Sequence, residues 1–199
     1  MDGTKSMCFG LSEPNAGSDA SMIKTRATPD GDGWRISGRK IWTTNAPVAD
    51  YCVIFSVTDA ERAASKRGGI SAFIVPTDSP GFQVQRIIKL FGHIGGDEAE
   101  LAFDDLYVEP WQVVGELHQG FKAALYGVSL GRIYNSARSV GYGRWALEQA
   151  LDYANTREAF GDTIASYQGV SFPLAECATE LHAAHLMGLN AATLLDEGH

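Results

Sequence analysis

The chain has 199 residues, 45% of them hydrophobic and 20% charged, an ordinary balance for a protein long enough to bury a real core. Its net charge is −8 and no basic block occurs, which argues against nucleic-acid or anionic-membrane partners, since both are held by clustered Lys and Arg. An anionic ligand must instead be gripped locally, by single arginines or backbone N–H groups.

Cys8, Cys52 and Cys177 are odd in number, far apart in sequence and in no CxxC pair, which suits buried reduced thiols in a cytoplasmic or mitochondrial-matrix protein. No apolar run approaches the ~18 residues needed to span a bilayer, and the opening residues have no apolar core of a signal peptide. Both ends read as positions inside a longer protein.

Up to about residue 115, Gly and Pro punctuate short β-branched and aromatic runs. Tyr51–Val57, Ile70–Val75 and Ala99–Phe103 are predicted strands, and Asp30-Gly31-Asp32-Gly33 is a predicted hairpin turn, because Asp-Gly supplies the positive φ it requires. Short strands spaced by turns point to a barrel or sandwich rather than a parallel sheet. After Gly120 the period becomes helical: Phe121, Ala124, Leu125 and Val128, then Val140, Leu147, Ala150, Leu151 and Ala154. Thr156–Gly169 interrupts, and a second helix is expected from about Val170 to Leu195, with Pro173 tolerable only in its first turn. The two helices should lie antiparallel, with more apolar surface than they can cover between them. The fold class is therefore α+β: a barrel- or sandwich-like β domain over residues 1–114, then the first part of a helical bundle over residues 115–199.

Four segments carry candidate chemistry. Leu11–Ser21, "LSEPNAGSDAS", crowds small polar groups around Gly17; it reads first as a turn-rich surface loop, with a cradle for a phosphate or a heterocycle edge as the alternative. It is no dinucleotide fingerprint: Gly10 lies seven residues from Gly17 and no helix follows. In "GRKIWTTN", Trp42 with Thr43 and Thr44 is either core or the cover of a flat ligand. Arg132 lies in an otherwise apolar helix and is either solvent-facing or paired with an anion. Arg157, Phe160 and Gln168 stand in what otherwise reads as a polar inter-helix turn. His182 and His185, with Glu176 and Glu180 nearby, lack the Glu-x-x-His spacing of a bundle metal site and read as a surface pair.

In this order and spacing the segments resemble the acyl-CoA dehydrogenase family of flavoproteins. Its opening pattern stands here as Gly10-Leu11-Ser12-Glu13-Pro14-Asn15-Ala16-Gly17-Ser18-Asp19, with Met22 where a small residue is usual. "GGISAFIVPTDSPGFQV", "AELAFDDLYVEP" and "LGRIYNSARSVGYGRWALEQALDYANTREAFGDTIASYQG" follow in the family's order.

The resemblance implies an FAD-dependent oxidoreductase of fatty acid metabolism. Such an enzyme removes an α-proton and transfers the β-hydride of an acyl-CoA thioester to flavin N5, then passes electrons to an electron-transfer flavoprotein. It implies a homo-oligomer, a dimer or a homotetramer. Acyl-CoA oxidases, flavin monooxygenase relatives and a non-catalytic scaffold remain alternatives within the fold.

By the same resemblance, Phe9, Leu11 and Ser12 would lie along the isoalloxazine. Gly17 and Ser18 would approach the pyrophosphate, with Ser18 also facing the CoA arm. Trp42 would cover the ring, Thr43 beside it, and Thr44 would hydrogen-bond near N5. Ser129 and Arg132 would line the acyl-CoA. Arg157, Phe160 and Gln168 would reach the FAD of a neighbouring subunit.

Departures are equally specific. Gly131 stands where some relatives carry the catalytic base, so no catalytic residue and no metal ligand is assigned, and the 199 residues alone are expected not to turn over an acyl-CoA. Ser129 replaces a usual acidic residue, and Ile94 and Gly96 replace the Arg and Ser of a common loop pattern.

Overall fold

The computed structural model describes residues 2–92 and 95–198; Ile94, one of the departures above, lies outside them. The chain divides into two compact units, Met1–Tyr126 and Gly127–His199.

The first unit is built on an eight-stranded sheet. Its strands are β1 (Met7–Gly10), β2 (Arg26–Asp30), β3 (Gly33–Thr44), β4 (Tyr51–Val57), β5 (Ile70–Pro76), β6 (Phe82–Ile88), β7 (Glu98–Val108) and β8 (Val113–Val114). Their order is β6-β7-β3-β2-β4-β5-β8, with β1 pairing parallel to β4 off that path.

The sheet is open, which corrects the barrel expectation: among the described residues no pairing joins β6 to β8. Most neighbours are antiparallel, as expected. β4 matches its predicted bounds, and β5 extends by one residue to Pro76. β7 runs to Val108, because pairing to β3 carries it past the apolar run that marks it in sequence. The predicted hairpin joins β2 to β3 with Asp30 opposite Gly33 and Gly31 at φ +59°.

Alternation along the strands supplies two apolar clusters. Ile36, Cys52, Ile54, Phe73, Val75, Leu101, Leu106 and Val108 form one; Leu11, Ile23, Phe55, Ile70, Ala72 and Ala124 form the other. Fully burying side chains of this size contributes about 1.5–3 kcal/mol each.

Cys8 and Cys52, distant in sequence, are opposite each other in the β1–β4 ladder. Both are buried, whereas Cys177 is exposed, contrary to expectation.

A one-turn-long helix α1 (Ala60–Ala64), capped by the Asp59 carboxylate, connects β4 to β5. Helix α2 (Gly120–Thr156) begins against β5. His118 anchors that start: its N–H donates to Ser71 Oγ at 2.8 Å, and its Nδ1 lies 2.8 Å from Thr58 Oγ1.

In the second unit, α2 runs antiparallel to α3 (Gln168–Asp196), since residues 143–150 face 174–184 and residues 133–140 face 184–192. Gly143 lets Leu181 approach the α2 backbone. Val140 and Ala154 are buried, while Tyr142, Trp145, Tyr153, Met187 and Leu189 are exposed, as expected of two helices with a shared but incomplete apolar interface.

Helix α3 starts two residues earlier than expected, so Pro173 falls at its sixth position rather than in the first turn. There it removes the hydrogen bond to the Gly169 carbonyl. The cost is confined to one bond near the helix end.

Between the helices, β9 (Glu158–Ala159) and β10 (Asp162–Thr163) form a miniature hairpin with Phe160-Gly161 at its tip.

Candidate functional site

The loop after β1 is tied down residue by residue. Ser12 accepts the Ile41 N–H at 2.9 Å through its carbonyl, and Leu11 O accepts Lys40 Nζ at 3.1 Å. Glu13 closes a tight turn with Ala16 by reciprocal backbone bonds of 2.9 and 3.1 Å. Its carboxylate takes the Lys24 N–H at 2.6 Å, the Thr25 N–H at 2.9 Å and Lys40 Nζ at 2.9 Å.

The Leu11–Ala16 portion is thus not the free surface loop that residue types alone suggest. Leu11 is buried, Ser12 half-buried, and Gly17 and Ser18 are exposed beyond the clamp.

Lys40 is fully buried and paired with the nearly buried Glu13. Burial pushes the Lys40 ammonium down to about 8, with Glu13 opposing that shift. For Glu13, burial works against ionisation, but the Lys40 charge and the bonds from Thr25, Lys24 and Lys40 outweigh it and leave the carboxyl below its ordinary range.

Strand β3 changes register against β7 between Lys40, opposite Leu101, and Thr43, opposite Ala99, which makes a one-residue bulge. Trp42 sits in that bulge at φ +60°, a left-handed conformation costing a bulky residue roughly 1–3 kcal/mol. The bulge frees the Ile41 N–H for Ser12 and turns the indole outward, 54% exposed. Phe9, on strand β1, is also 41% exposed and tilts onto Phe55 of β4 with ring centroids 4.8 Å apart.

Thr43 is buried with its Oγ1 unpartnered among the described residues. Thr44 is exposed, and its hydroxyl lies 2.9 Å from both Glu98 carboxylate oxygens.

Ser18 borders a cavity of about 300 Å3 with Asp19, Ser21, Lys66, Phe121 and Leu125.

These features suit a flat heterocycle with a phosphate tail, the form of FAD. Two aromatic rings stand exposed, Phe9 on β1 and Trp42 on β3, and the polar loop that follows β1 is bonded to β3 at Ile41, next to Trp42. A methyl at Gly17 would meet no atom within 4 Å, so the backbone there is open to a ligand.

In the second unit, Ser129 is half-buried on α2, and Arg132 is exposed. Arg157 follows the end of α2, its carbonyl accepting the Ile164 N–H at 2.8 Å. From Arg132 to the end of α2 the rise is roughly 36 Å at 1.5 Å per residue, so Arg132 and Arg157 cannot grip the same small group.

Phe160 and Gly161 have φ of +53° and +89°, the backbone of a tight turn that normally takes Asn-Gly. Phe160 nevertheless occupies it with its ring 99% exposed, edge-on to Tyr167 at 6.3 Å. Gln168 opens α3 and is exposed.

The segment is therefore more than a polar turn: it holds an aromatic ring in the open at a conformational cost.

Sequence reasoning assigned nothing to Lys40. The signal was present, for Ile36, Gly38 and Lys40 share one face of β3 by period two, and an inward lysine demands a carboxylate partner. Glu13 was visible only as a pattern position.

A family model described as the acyl-CoA dehydrogenase middle domain matches residues 8–106, and one described as the acyl-CoA dehydrogenase C-terminal domain matches residues 118–199. The chain is 38% identical to the CarC subunit of the caffeyl-CoA reductase–Etf complex of Acetobacterium woodii, over 98% of this chain and 51% of that protein. It is 39% identical to the human mitochondrial short-chain specific acyl-CoA dehydrogenase, over 98% of this chain and 46% of that protein. Among solved structures, butyryl-CoA dehydrogenase from Megasphaera elsdenii matches with a TM-score of 0.93 at 36% identity, covering 98% of this chain and 50% of the other. The chain spans about half the length of the curated relatives it matches.

Proposed function

The chain belongs to the acyl-CoA dehydrogenase family, and from that premise we propose that it forms the flavin-facing half of an enzyme that oxidises an acyl-CoA between Cα and Cβ. The observation that carries the reading is the bulge at Trp42. It exposes an indole and, through the Ile41 N–H, fixes Ser12 next to it.

FAD, when bound, supplies the acceptor for the β-hydride. Phe9 and Trp42 offer the apolar surface for its ring, with the buried Leu11 packed into the core behind the loop, and Ser12 a hydrogen-bonding edge. Gly17 and Ser18 bring exposed backbone and a hydroxyl to its phosphates, which matters on a chain of net charge −8 with few cations to spend.

Thr44 faces solvent beside Trp42 and reaches a ligand by exchanging its Glu98 partner. Of the α2 residues, Ser129 belongs to the CoA-adenine end and Arg132 to the acyl-CoA, and no residue of this chain is assigned as the base that takes the α-proton.

Arg157, Phe160 and Gln168 serve the cofactor of a second copy. A ring held fully exposed on a strained turn is suited to meet another molecule, which makes oligomerisation part of the site. Electrons leave to an electron-transfer flavoprotein, in keeping with the Etf complex named for the Acetobacterium relative.

That relative also favours a second reading, in which the same site runs in reverse and reduces an enoyl thioester.

The test uses the natural protein that carries this chain. Ser12→Ala and Ser18→Ala should each weaken FAD retention, and butyryl-CoA or octanoyl-CoA should bleach the wild-type flavin anaerobically. Unchanged flavin content in both variants would sink the site assignment. Bleaching by a reduced electron donor but by neither acyl-CoA would favour the reductive direction.

A further inference from the structure

We propose that the buried pair Glu13–Lys40 is a positioning strut that sets the separation of Ser12 from Trp42, and through it the affinity and optical environment of the bound flavin. The inference rests on the flavin reading above.

Three consecutive residues of the loop, Leu11, Ser12 and Glu13, are each held by one of two consecutive residues of β3. Lys40 Nζ donates to Leu11 O and Glu13 Oε1, and the Ile41 N–H donates to Ser12 O. Trp42 follows immediately, in the left-handed conformation that the bulge imposes.

Loop and ring are therefore coupled through one short stretch of backbone, and the side chains that clamp it lie behind the exposed face rather than on it. Lys40 has no exposed surface, and its stem passes 3.5 Å from where a Gly10 Cβ would stand, so its ammonium cannot swing elsewhere without unpacking β1.

A core that needed only stability at this point would be served as well by an apolar pair. Replacing a buried ion pair by hydrophobic residues is often neutral or stabilising, whereas removing one partner strands a charge. What an apolar pair cannot supply is a hydrogen bond to Leu11 O and two more to the Lys24 and Thr25 amides. The polar pair thus specifies a loop conformation.

The experiment compares wild-type holoprotein with Lys40→Met, Glu13→Gln and the paired variant Glu13→Gln/Lys40→Met. Four quantities are measured: unfolding midpoint, FAD dissociation constant, the visible spectrum of the bound flavin, and hydrogen exchange of residues 11–16 and 41 in the apoprotein.

Each single variant should lose stability and bind FAD at least tenfold more weakly. The paired variant leaves no ammonium behind, so it should recover most of the midpoint. It should still show the tenfold loss, a shifted flavin band and faster exchange at Ile41, because the bond to Leu11 O is gone. It also supplies the answer if either single variant fails to fold.

A paired variant with wild-type FAD affinity and spectrum would overturn the strut while leaving the flavin reading intact. Wild-type protein that retains no flavin at all would overturn both.

Discussion

Gly120 is where α2 meets β5, and substituting it sets local propensity against tertiary packing. In a helix, Gly→Ala ordinarily stabilises by up to about 1 kcal/mol. Here the methyl would lie 2.5 Å from the Ser71 carbonyl carbon, 2.8 Å from Ser71 Cα and nearer still to the Ala72 amide nitrogen. All three are backbone atoms of a strand paired on both edges, so the helix must retreat.

Carbon contacts relax at about 3.5–4.0 Å, which makes the retreat roughly 1 Å. A shift of that size uncovers Ala124, now fully buried, and stretches two bonds. One is the 2.8 Å bond from His118 N–H to Ser71 Oγ; the other is the 2.8 Å bond from Gly69 N–H to His118 O. Overpacking contributes about 1–3 kcal/mol, and each weakened bond about 1 kcal/mol. Less the propensity gain, the net loss is about 2–4 kcal/mol.

Denaturant unfolding of the natural protein, followed by circular dichroism, reads this directly. Gly120→Ala should lower the free energy of unfolding by that amount. A variant as stable as wild type, or more so, would show that α2 does not approach β5 this closely.

Two pH effects follow, one from burial of Lys40 and one from the partners of Asp50. Lys40 titrates near 8 when folded against an ordinary 10.5, so the unfolded chain binds more protons between those values and stability should rise with pH across that window. Relative to the Glu13→Gln/Lys40→Met variant, wild type should gain up to a few kcal/mol between pH 8 and 10.5; parallel pH profiles would contradict the assignment. Asp50 gives a slope of the same sign in the acid range: bonds from Lys5 and Ser6 hold its carboxyl at about 2, below the ordinary 3.8. Its support for the start of β1 is present above pH 4 and lost as pH falls toward 2. Asp50→Asn should therefore remove the acid sensitivity of amide exchange at Ser6, and a persistent acid step in that variant would refute it.

The sequence by itself determined what depends on neighbours in the chain. Tyr51–Val57 and Ile70–Val75 are continuous runs of strand formers between turn residues, and their bounds are visible without any partner. The Asp30–Gly33 hairpin rests on one residue that tolerates positive φ, and the two long helices on a 3.6-residue period. The order of the segments that carry the family pattern, and hence the family, was equally legible because each is a short contiguous pattern.

The tertiary structure decided what depends on residues far apart. Closure of a sheet is a matter of which edges pair, and β6 and β8 do not. Pairing to β3 extended β7 beyond its apolar run, and the true start of α3 put Pro173 inside the helix. Cys8 and Cys52 became neighbours only because β1 joined β4. The bulge that turns Trp42 outward arises from a register mismatch with β7, and the burial of Lys40 from a carboxylate 27 residues away. Periodicity and propensity act over a few residues, whereas register and charge burial are fixed by the strand or loop that packs opposite. The segments that carry the family pattern were therefore open to sequence reasoning, and the inward face of Lys40 was too, but its pairing with Glu13 was not.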